Sequence, residues 1–379
     1  MEKLGVDIKK IIDLRQKLHK FPELSGDESN TVKIITNFFS SLHPAQTYEL
    51  GHSVAFAFGD INSKKTIVFR CDIDALPIEE TLDMPYASVN DGVSHKCGHD
   101  GHTAILAGLG QVFAKNIPQN KVVLLFQSAE ETLSGALEVL SSPQFKQIEP
   151  SVIVGFHNIP GYEQASVIVR KEEFNAYVTG LKITLKGQSA HAAYSQANID
   201  LLLAVDKIVA MVENWEHNNS VSGAEVNLTY INYGRPTFGV SPDTAVIHLV
   251  LRSFSNETLE KAMEQVEKEI LRYASDLSLK AKITYTEDAP AIYNDPSLAE
   301  LLMQTASEEG YPINYRSDPF PWGEDFGFYT IRFPGIYFGI GAGTDIPQLH
   351  SKEYDFPDEI ILPSIEFLYK FYLKLSRKI

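Results

Sequence analysis

Apolar and polar positions along the chain follow two successive rhythms. In the first, short apolar runs ending in polar residues alternate with stretches of helical spacing. Leu4, Ile8, Ile11, Ile12 and Leu18 recur close to the helical repeat, and "SNTVKIITNFFSSL" reads as a second helix capped by Ser29 or Asn30. "KKTIVFRCDIDALP" reads as a buried strand stopped by Pro77, "HTAILAGLGQVFAKN" as a helix and "NKVVLLFQSAEE" as a second buried strand. A helix through "GALEVLSS" and a third strand, "PSVIVGFHNIPG", follow. Strands alternating with helices predict an α/β fold: a mixed, largely parallel sheet flanked by helices.

The second rhythm begins near residue 177. "VTGLKITLKGQSAH", "EVNLTYINYG", "DTAVIHLVLRSF" and "KAKITYTED" alternate like strands, and two strongly amphipathic helices, "IDLLLAVDKIVAMVENWEH" and "ETLEKAMEQVEKEILRYASDL", separate them. That order is βαββαβ, a ferredoxin-like α+β unit. The first rhythm resumes with the helix "SLAELLMQTASEEG", the core strand "FPGIYFGIGAG" and the helix "SIEFLYKFYLKLS". The expected organisation is one domain made of residues 1–176 and 289–379, with residues 177–288 inserted into it.

Composition narrows the function. A hydrophobic content of 44% over 379 residues supports a sizeable core, and the length suits two domains or one large one. The net charge of −16 disfavours nucleic acid and anionic membranes, which need a positive surface. Only two cysteines, Cys71 and Cys97, are present, so no disulfide framework is expected. The opening segment is too charged for a signal peptide, and no apolar run approaches the roughly 20 residues that span a bilayer. A cytoplasmic setting is the expectation.

Candidate chemistry gathers where the predicted strands run out, the usual place for sites in open α/β sheets. Asp72 and Asp74 follow "TIVFR", Glu130 and Glu131 follow "VVLLFQSA", and His157 follows "VIVGF". "SHKCGHDGHT" places Cys97 and His99 in a loop before a helix, and His350 lies in a later loop. Thiolate, imidazole and carboxylate together suit zinc or another late first-row ion, and suit magnesium or calcium poorly. Cys97, His99, Glu131, His157 and His350 are five donors, more than one tetrahedral ion takes, so two bridged divalent ions are expected. Adjacent side chains diverge, so one of Glu130 and Glu131 can bind metal while the other handles a proton. Spacing does not say which.

Taken together, "RCDIDALP", "CGHDGHTA", "FQSAEE", "GFHNIPG", "GQSAHAA", "WGEDFGFY" and "LHSKEYDFPDE" resemble the peptidase family M20 amidohydrolases, the branch of hippurate hydrolases, N-acyl-amino-acid deacylases and auxin-conjugate hydrolases. The resemblance runs over nearly the whole chain. It implies a di-metal catalytic domain (zinc, manganese, cobalt or nickel) and an inserted dimerisation domain, hence a homodimer. It implies Glu130 as general base and acid towards a metal-activated water, and Glu131 as a ligand. On the same resemblance Cys97 would bridge or bind beside His99, His157 and His350 would complete the set, and Asp74 would orient from behind. The resemblance further implies His191 as the group that stabilises the oxyanion and Arg252 as a partner for a substrate carboxylate. The expected substrate is an N-acyl amino acid or similar small peptide-like amide. The chain departs from the pattern at "EETLSGA", at Tyr194, Ser195 and Gln196, and at Gly239 in "GVSPD".

Plainer roles are expected elsewhere. His19, His43, His52 and His217 read as surface or cap residues. His248 reads as a strand residue, and His95 and His102 as supports of the ligand motif. Cys71 reads as a small buried hydrophobe, and Glu324 and Asp325 as a helix start with no catalytic step. Two other functions compete: an aminopeptidase or dipeptidase on the same metals, and a non-catalytic binding protein on a degenerate scaffold.

Overall fold

The computed structural model describes residues 4–193, 199–215 and 221–379. Tyr194, Ser195, Gln196 and His217 lie outside the described residues. The chain divides into two compact units. One comprises Met1–Phe174, Ile292–Pro319 and Glu324–Ile379, and the other Asn175–Ala291 with Phe320–Gly323.

The first unit is built on an eight-stranded mixed sheet. Its order is Gln46–Leu50, Ser53–Phe58, Lys121–Gln127, Thr66–Asp72, Val152–Pro160, Gly335–Gly343, Val167–Val169 and Ile313–Tyr315. The central four, from Lys121–Gln127 to Gly335–Gly343, run parallel. Each of these four is buried along its whole length, which is why they read as continuous apolar runs rather than as alternations. The pair Gln46–Leu50 and Ser53–Phe58 adds an antiparallel edge that the sequence reading did not identify.

Strand parity divides the central strands between two faces. Ile67, Phe69 and Cys71 join Leu106, Leu109 and Phe113 of the buried helix His99–Lys115 in the main core. The helices Ile8–Lys20 and Ile361–Lys378 pack on that same helix. Arg70 alternates with Phe69 and Cys71 and so points to the other face.

Local chemistry sets several boundaries. The Asp7 carboxylate accepts the Lys10 N–H at the start of Ile8–Lys20, and Asp295 caps Pro296–Glu309, which ends at Gly310 in the left-handed region. The second helix, Ser29–Ser40, differs from expectation at its cap. Glu28 occupies the cap position, and the Glu23 carboxylate reaches over to accept the N–H groups of Asn30 and Thr31.

The second unit carries a four-stranded antiparallel sheet in the order Ala224–Tyr233, Thr244–Ser253, Tyr177–Lys186, Lys280–Ala289. With helices Ile199–Glu213 and Asn256–Asp276 between strands, this is the ferredoxin-like βαββαβ arrangement. Thr244–Ser253 alternates strictly between half-buried and buried residues. Its inward Ala245, Ile247, Leu249 and Leu251 meet Leu259, Ala262, Val266 and Ile270 of the long helix.

Candidate metal centre

Three strand ends and two loops of the first unit converge on one cluster. Cys97 and His99 flank Gly98, which sits at φ 92° immediately before the His99–Lys115 helix. Glu130 and Glu131 follow the Lys121–Gln127 strand through a sharp corner at Ala129, φ 52°. His157 lies within the neighbouring parallel strand Val152–Pro160. His350 stands in a left-handed conformation, φ 64°, and its backbone N–H donates to the Lys96 carbonyl at 2.8 Å. Strained non-glycine backbone of this kind persists where surrounding structure holds it, often at functional sites.

All five expected ligands are close together. The Cys97 Sγ lies 3.4 Å from both His157 Nε2 and His350 Nε2. The Glu131 Oε1 is 3.5 Å from His350 Nε2 and 3.9 Å from His99 Nε2. Glu130 lies beside His99 and Glu131 on one side and beside Glu324 and Asp325 on the other, their ligand atoms within 4.8 Å of one another.

Hydrogen bonds behind the cluster set the tautomers. The His99 Nδ1–H faces the Asp74 carbonyl at 2.9 Å and its Oδ1 at 3.2 Å, so Nε2 carries the lone pair into the cluster. The His157 Nδ1–H donates to the Asn158 carbonyl at 2.8 Å, which turns its Nε2 towards Cys97. Asp74 also accepts from the Ser25 hydroxyl at 2.7 Å and from the Glu131 N–H at 2.9 Å. One buried carboxylate thereby locates a histidine and a glutamate of the cluster.

His102 is different. Its Nδ1–H donates to Asp72 Oδ1 at 2.5 Å and its Nε2 accepts the Asn158 N–H at 3.0 Å, so both ring nitrogens are engaged. It supports His157 edge-to-face at 4.5 Å and offers no lone pair to a cation.

The donor set fits a divalent cation. His99 Nε2 and Glu131 Oε1 are buried without a hydrogen-bond partner, an arrangement that costs free energy unless something positive sits there. Burial opposes a charge on His99, yet Asp72, Asp74 and Glu131 outweigh it and raise its pKa to about 10. These anions favour a positive charge at that position. Burial, with His102 beside it, pushes His157 well below the usual imidazole range, towards the neutral form that ligates. Burial pushes the Cys97 thiol well up, and Glu131 and Glu130 add to that; only a cation would reverse it.

An arginine that sequence reasoning passed over holds the far side of Glu130. The fully buried Arg70 donates to Gln127 Oε1 at 2.9 Å, Asp72 Oδ2 at 3.0 Å and Asp325 Oδ1 at 2.8 Å, and lies 3.1 Å from Glu324 Oε1. Its signal was present: a lone cation in an apolar strand has to be paired. Glu324 and Asp325 are not side-chain caps of the helix after them, Gly327–Thr330. Glu324 accepts from the Tyr337 hydroxyl at 2.5 Å, and Asp325 accepts the Ala136 N–H at 2.8 Å.

Another expectation is corrected here. His19 is no surface residue: it is fully buried between Asp100 Oδ2 at 2.8 Å and Glu80 Oε2 at 3.0 Å. The helix pattern showed which positions face inward, but not that an inward polar residue would find two carboxylates. His43 and His52 are exposed, and Cys71 is buried and unpaired, as expected.

His191 and Arg252 belong to the second unit. His191 is exposed and pairs in register with Val240, and Arg252 is half-buried between Glu225 and Val178 on the neighbouring strands. Gly239 has open space around its Cα.

Residues 68–374 match the family model described as Peptidase family M20/M25/M40. The chain belongs to this family. An N-acetyldiaminopimelate deacetylase of Halalkalibacterium halodurans is 30% identical over 359 residues, covering 93% of this chain and 95% of that one. An N-acetyl-L-cysteine deacetylase of Bacillus subtilis is 30% identical over 375 residues, covering 96% and 87%. Among solved structures, a dinuclear metal-binding peptidase of the M20 family from Bacillus subtilis superposes with a TM-score of 0.83 at 25% identity, covering 98% of this chain and 99% of that one. The M20 chain described here is accordingly a metallo-amidohydrolase acting on amides, as the motifs led us to expect.

Proposed function

We propose that this M20 enzyme hydrolyses the amide of a small N-acyl amino acid, with Cys97, His99, Glu131, His157 and His350 holding two divalent cations. The supporting observation is the five-residue cluster with a sixth group, Glu130, at its edge and uncommitted to the orienting bonds around it. When bound, the cations polarise the scissile carbonyl and make water a stronger nucleophile at neutral pH. Zinc, cobalt and nickel suit this mixed donor set, and manganese, which the family resemblance also implies, is tested beside them.

Glu130 is the proton carrier. Burial raises its pKa well above the usual carboxylate range, and Glu324, Glu131, Asp325 and Asp74 add to the effect. A carboxylate with that affinity takes a proton from the attacking water and returns it to the leaving amine. Asp74 keeps His99 in the ligating tautomer. His191 donates to the developing oxyanion, and Arg252 pairs with the substrate carboxylate. The relatives' names support an acetylated amino acid as the first substrate to test.

Assembly and setting complete the proposal. The first unit is the catalytic domain and the second a dimerisation domain, giving a homodimer. The edge strand Ala224–Tyr233, with exposed Tyr230 and Ile231, and exposed Leu202 and Leu203 on the helix Ile199–Glu213 support that reading. We read the enzyme as cytoplasmic on its two unpaired cysteines, one of them a ligand.

The deciding experiment pairs a hydrolysis screen with Glu130→Gln. Acetyl, benzoyl and longer acyl amino acids, and the matching dipeptides, are assayed with each of the four metals. The variant is expected to bind metal like the wild type and to lose roughly 10²–10⁴-fold in kcat. Wild-type turnover in the variant, or turnover of dipeptides alone, would overturn the proposal.

A further inference from the structure

Two loops carry three of the five proposed ligands: residues 94–100 hold Cys97 and His99, and residues 350–358 begin with His350. Residues 94–98 and 350–357 lie outside the helices and the sheet strands; the first stretch is buried throughout, whereas the second buries only Tyr354 and Phe356. What holds them is a lattice of charges reaching from the first helix, Ile8–Lys20. Arg15, fully buried, lies 3.0 Å from Asp100 Oδ2, 3.1 Å from Asp355 Oδ1 and 2.5 Å from Asp358 Oδ1, so one guanidinium ties the two loops together. Its Cζ lies 4.9 Å from the centre of the Tyr86 ring, and the Tyr86 hydroxyl donates to Asp355 Oδ2 at 2.7 Å.

A second route runs parallel to the first. His19, one turn on from Arg15, joins Asp100 to Glu80. Glu80 accepts from the buried Lys96 Nζ at 2.7 Å, and Lys96 Nζ also donates to the Tyr354 carbonyl at 3.0 Å. The Lys96 carbonyl in turn accepts the backbone N–H of His350. Lys96 precedes Cys97, and Asp100 follows His99, so both ends of the ligand stretch are gripped.

We infer that Arg15 and His19 are positioning residues for the metal centre: the first helix acts as a brace that sets the spacing between the Cys97–His99 loop and His350. The inference rests on the proposed ligand set. Neither residue touches a ligand side chain; each acts through Asp100, Glu80 or the carboxylates beyond His350. Supports of ligating residues are commonly worth 10–100-fold in metal affinity.

Electrostatics supplies a test of sign. Arg15 is a cation near a cation site. If it acted only through its charge, removing it would leave Asp100, Asp355 and Asp358 less compensated and would tighten divalent binding. A brace predicts the opposite, because the two loops lose their common anchor. The direction of the change separates the two accounts.

The experiment titrates zinc into chelator-stripped full-length wild type, Arg15→Met, His19→Gln and Lys352→Gln, with a competing chelator as the readout, and records the melting temperature of each metal-free protein. Lys352 pairs with Glu79 across exposed surface of the same region and serves as the charge control. Arg15→Met and His19→Gln are expected to weaken zinc binding at least about tenfold, and Lys352→Gln to change it less than twofold. Zinc affinity in Arg15→Met and His19→Gln equal to or tighter than wild type would overturn the brace, whatever happens to the melting temperature. If Arg15→Met does not fold, His19→Gln decides on the same criterion. A wild type that binds no zinc would instead overturn the ligand set itself.

Discussion

Ala129 donates its backbone N–H to the Glu28 carboxylate at 2.7 Å, and it does so from a left-handed conformation, φ 52°, one residue before the proposed proton carrier Glu130. The bond fixes the corner at which the chain leaves the Lys121–Gln127 strand. Glu28 is fully buried, and its Oε2 has no hydrogen-bond partner.

Glu28→Ala therefore leaves a buried N–H unpaired and frees the corner. We expect a loss of about 1–3 kcal/mol in stability and a fall in kcat that exceeds any change in KM. Glu28→Gln keeps an acceptor for Ala129 and is expected to retain most activity. Burial raises the Glu28 pKa from 4.5 to about 7, so the folded protein binds the extra proton and wild-type stability declines as pH rises through that window. The neutral glutamine escapes the decline, and urea midpoints of the two proteins between pH 4.5 and 7 should diverge in its favour.

Asp74 makes a different kind of demand. It orients His99 and accepts the Glu131 N–H, so Asp74→Asn disturbs two proposed ligands at once without touching the cavity volume. Zinc affinity should fall 10–100-fold, with kcat falling alongside because occupancy falls. Saturating metal should restore part of the activity, which it cannot do for Glu130→Gln. Metal content after exhaustive dialysis, set against activity at several zinc concentrations, checks both halves.

The His19 network has a pH signature. Burial opposes its charge, but Asp100 and Glu80 overcome that and raise the pKa from 6.5 to about 9. A base with a raised folded-state pKa adds stability that is fully present below 6.5 and is lost as pH climbs through about 9. Wild-type chemical stability should fall across that range, and His19→Gln should flatten the fall. A variant curve parallel to the wild type would remove His19 as the cause.

Gly98 stands between two proposed ligands at φ 92°, and a Cβ built there would meet the Asn158 Oδ1 at 2.6 Å. Gly98→Ala must then both enter a strained conformation and displace a side chain that donates to the Tyr354 hydroxyl. A loss of about 1–3 kcal/mol in metal-free stability is expected, together with weaker zinc binding. Calorimetry with and without zinc separates the two effects.

Hydrophobic order alone carried much of this structure. The buried strands, the interrupting βαββαβ unit and the placing of acids and histidines at strand ends all follow from which positions are apolar, because burial is repetitive and local spacing records it. The short pair Gln46–Leu50 and Ser53–Phe58 escaped notice because its two strands are brief and joined only by Gly51 and His52.

Polar partnership is a different matter, since a charge says that it needs a partner without saying which. Arg70, Arg15 and His19 are all buried, and each has a carboxylate partner scores of positions away or more: Arg70 Asp325, Arg15 Asp355 and His19 Glu80. Sequence by itself determined the elements and the donor types, because both depend on near neighbours and side-chain chemistry. Only the tertiary structure decided that His102 supports where His99 faces the cluster, and that the first helix reaches both ligand loops. Those outcomes depend on distances between segments that no local periodicity encodes.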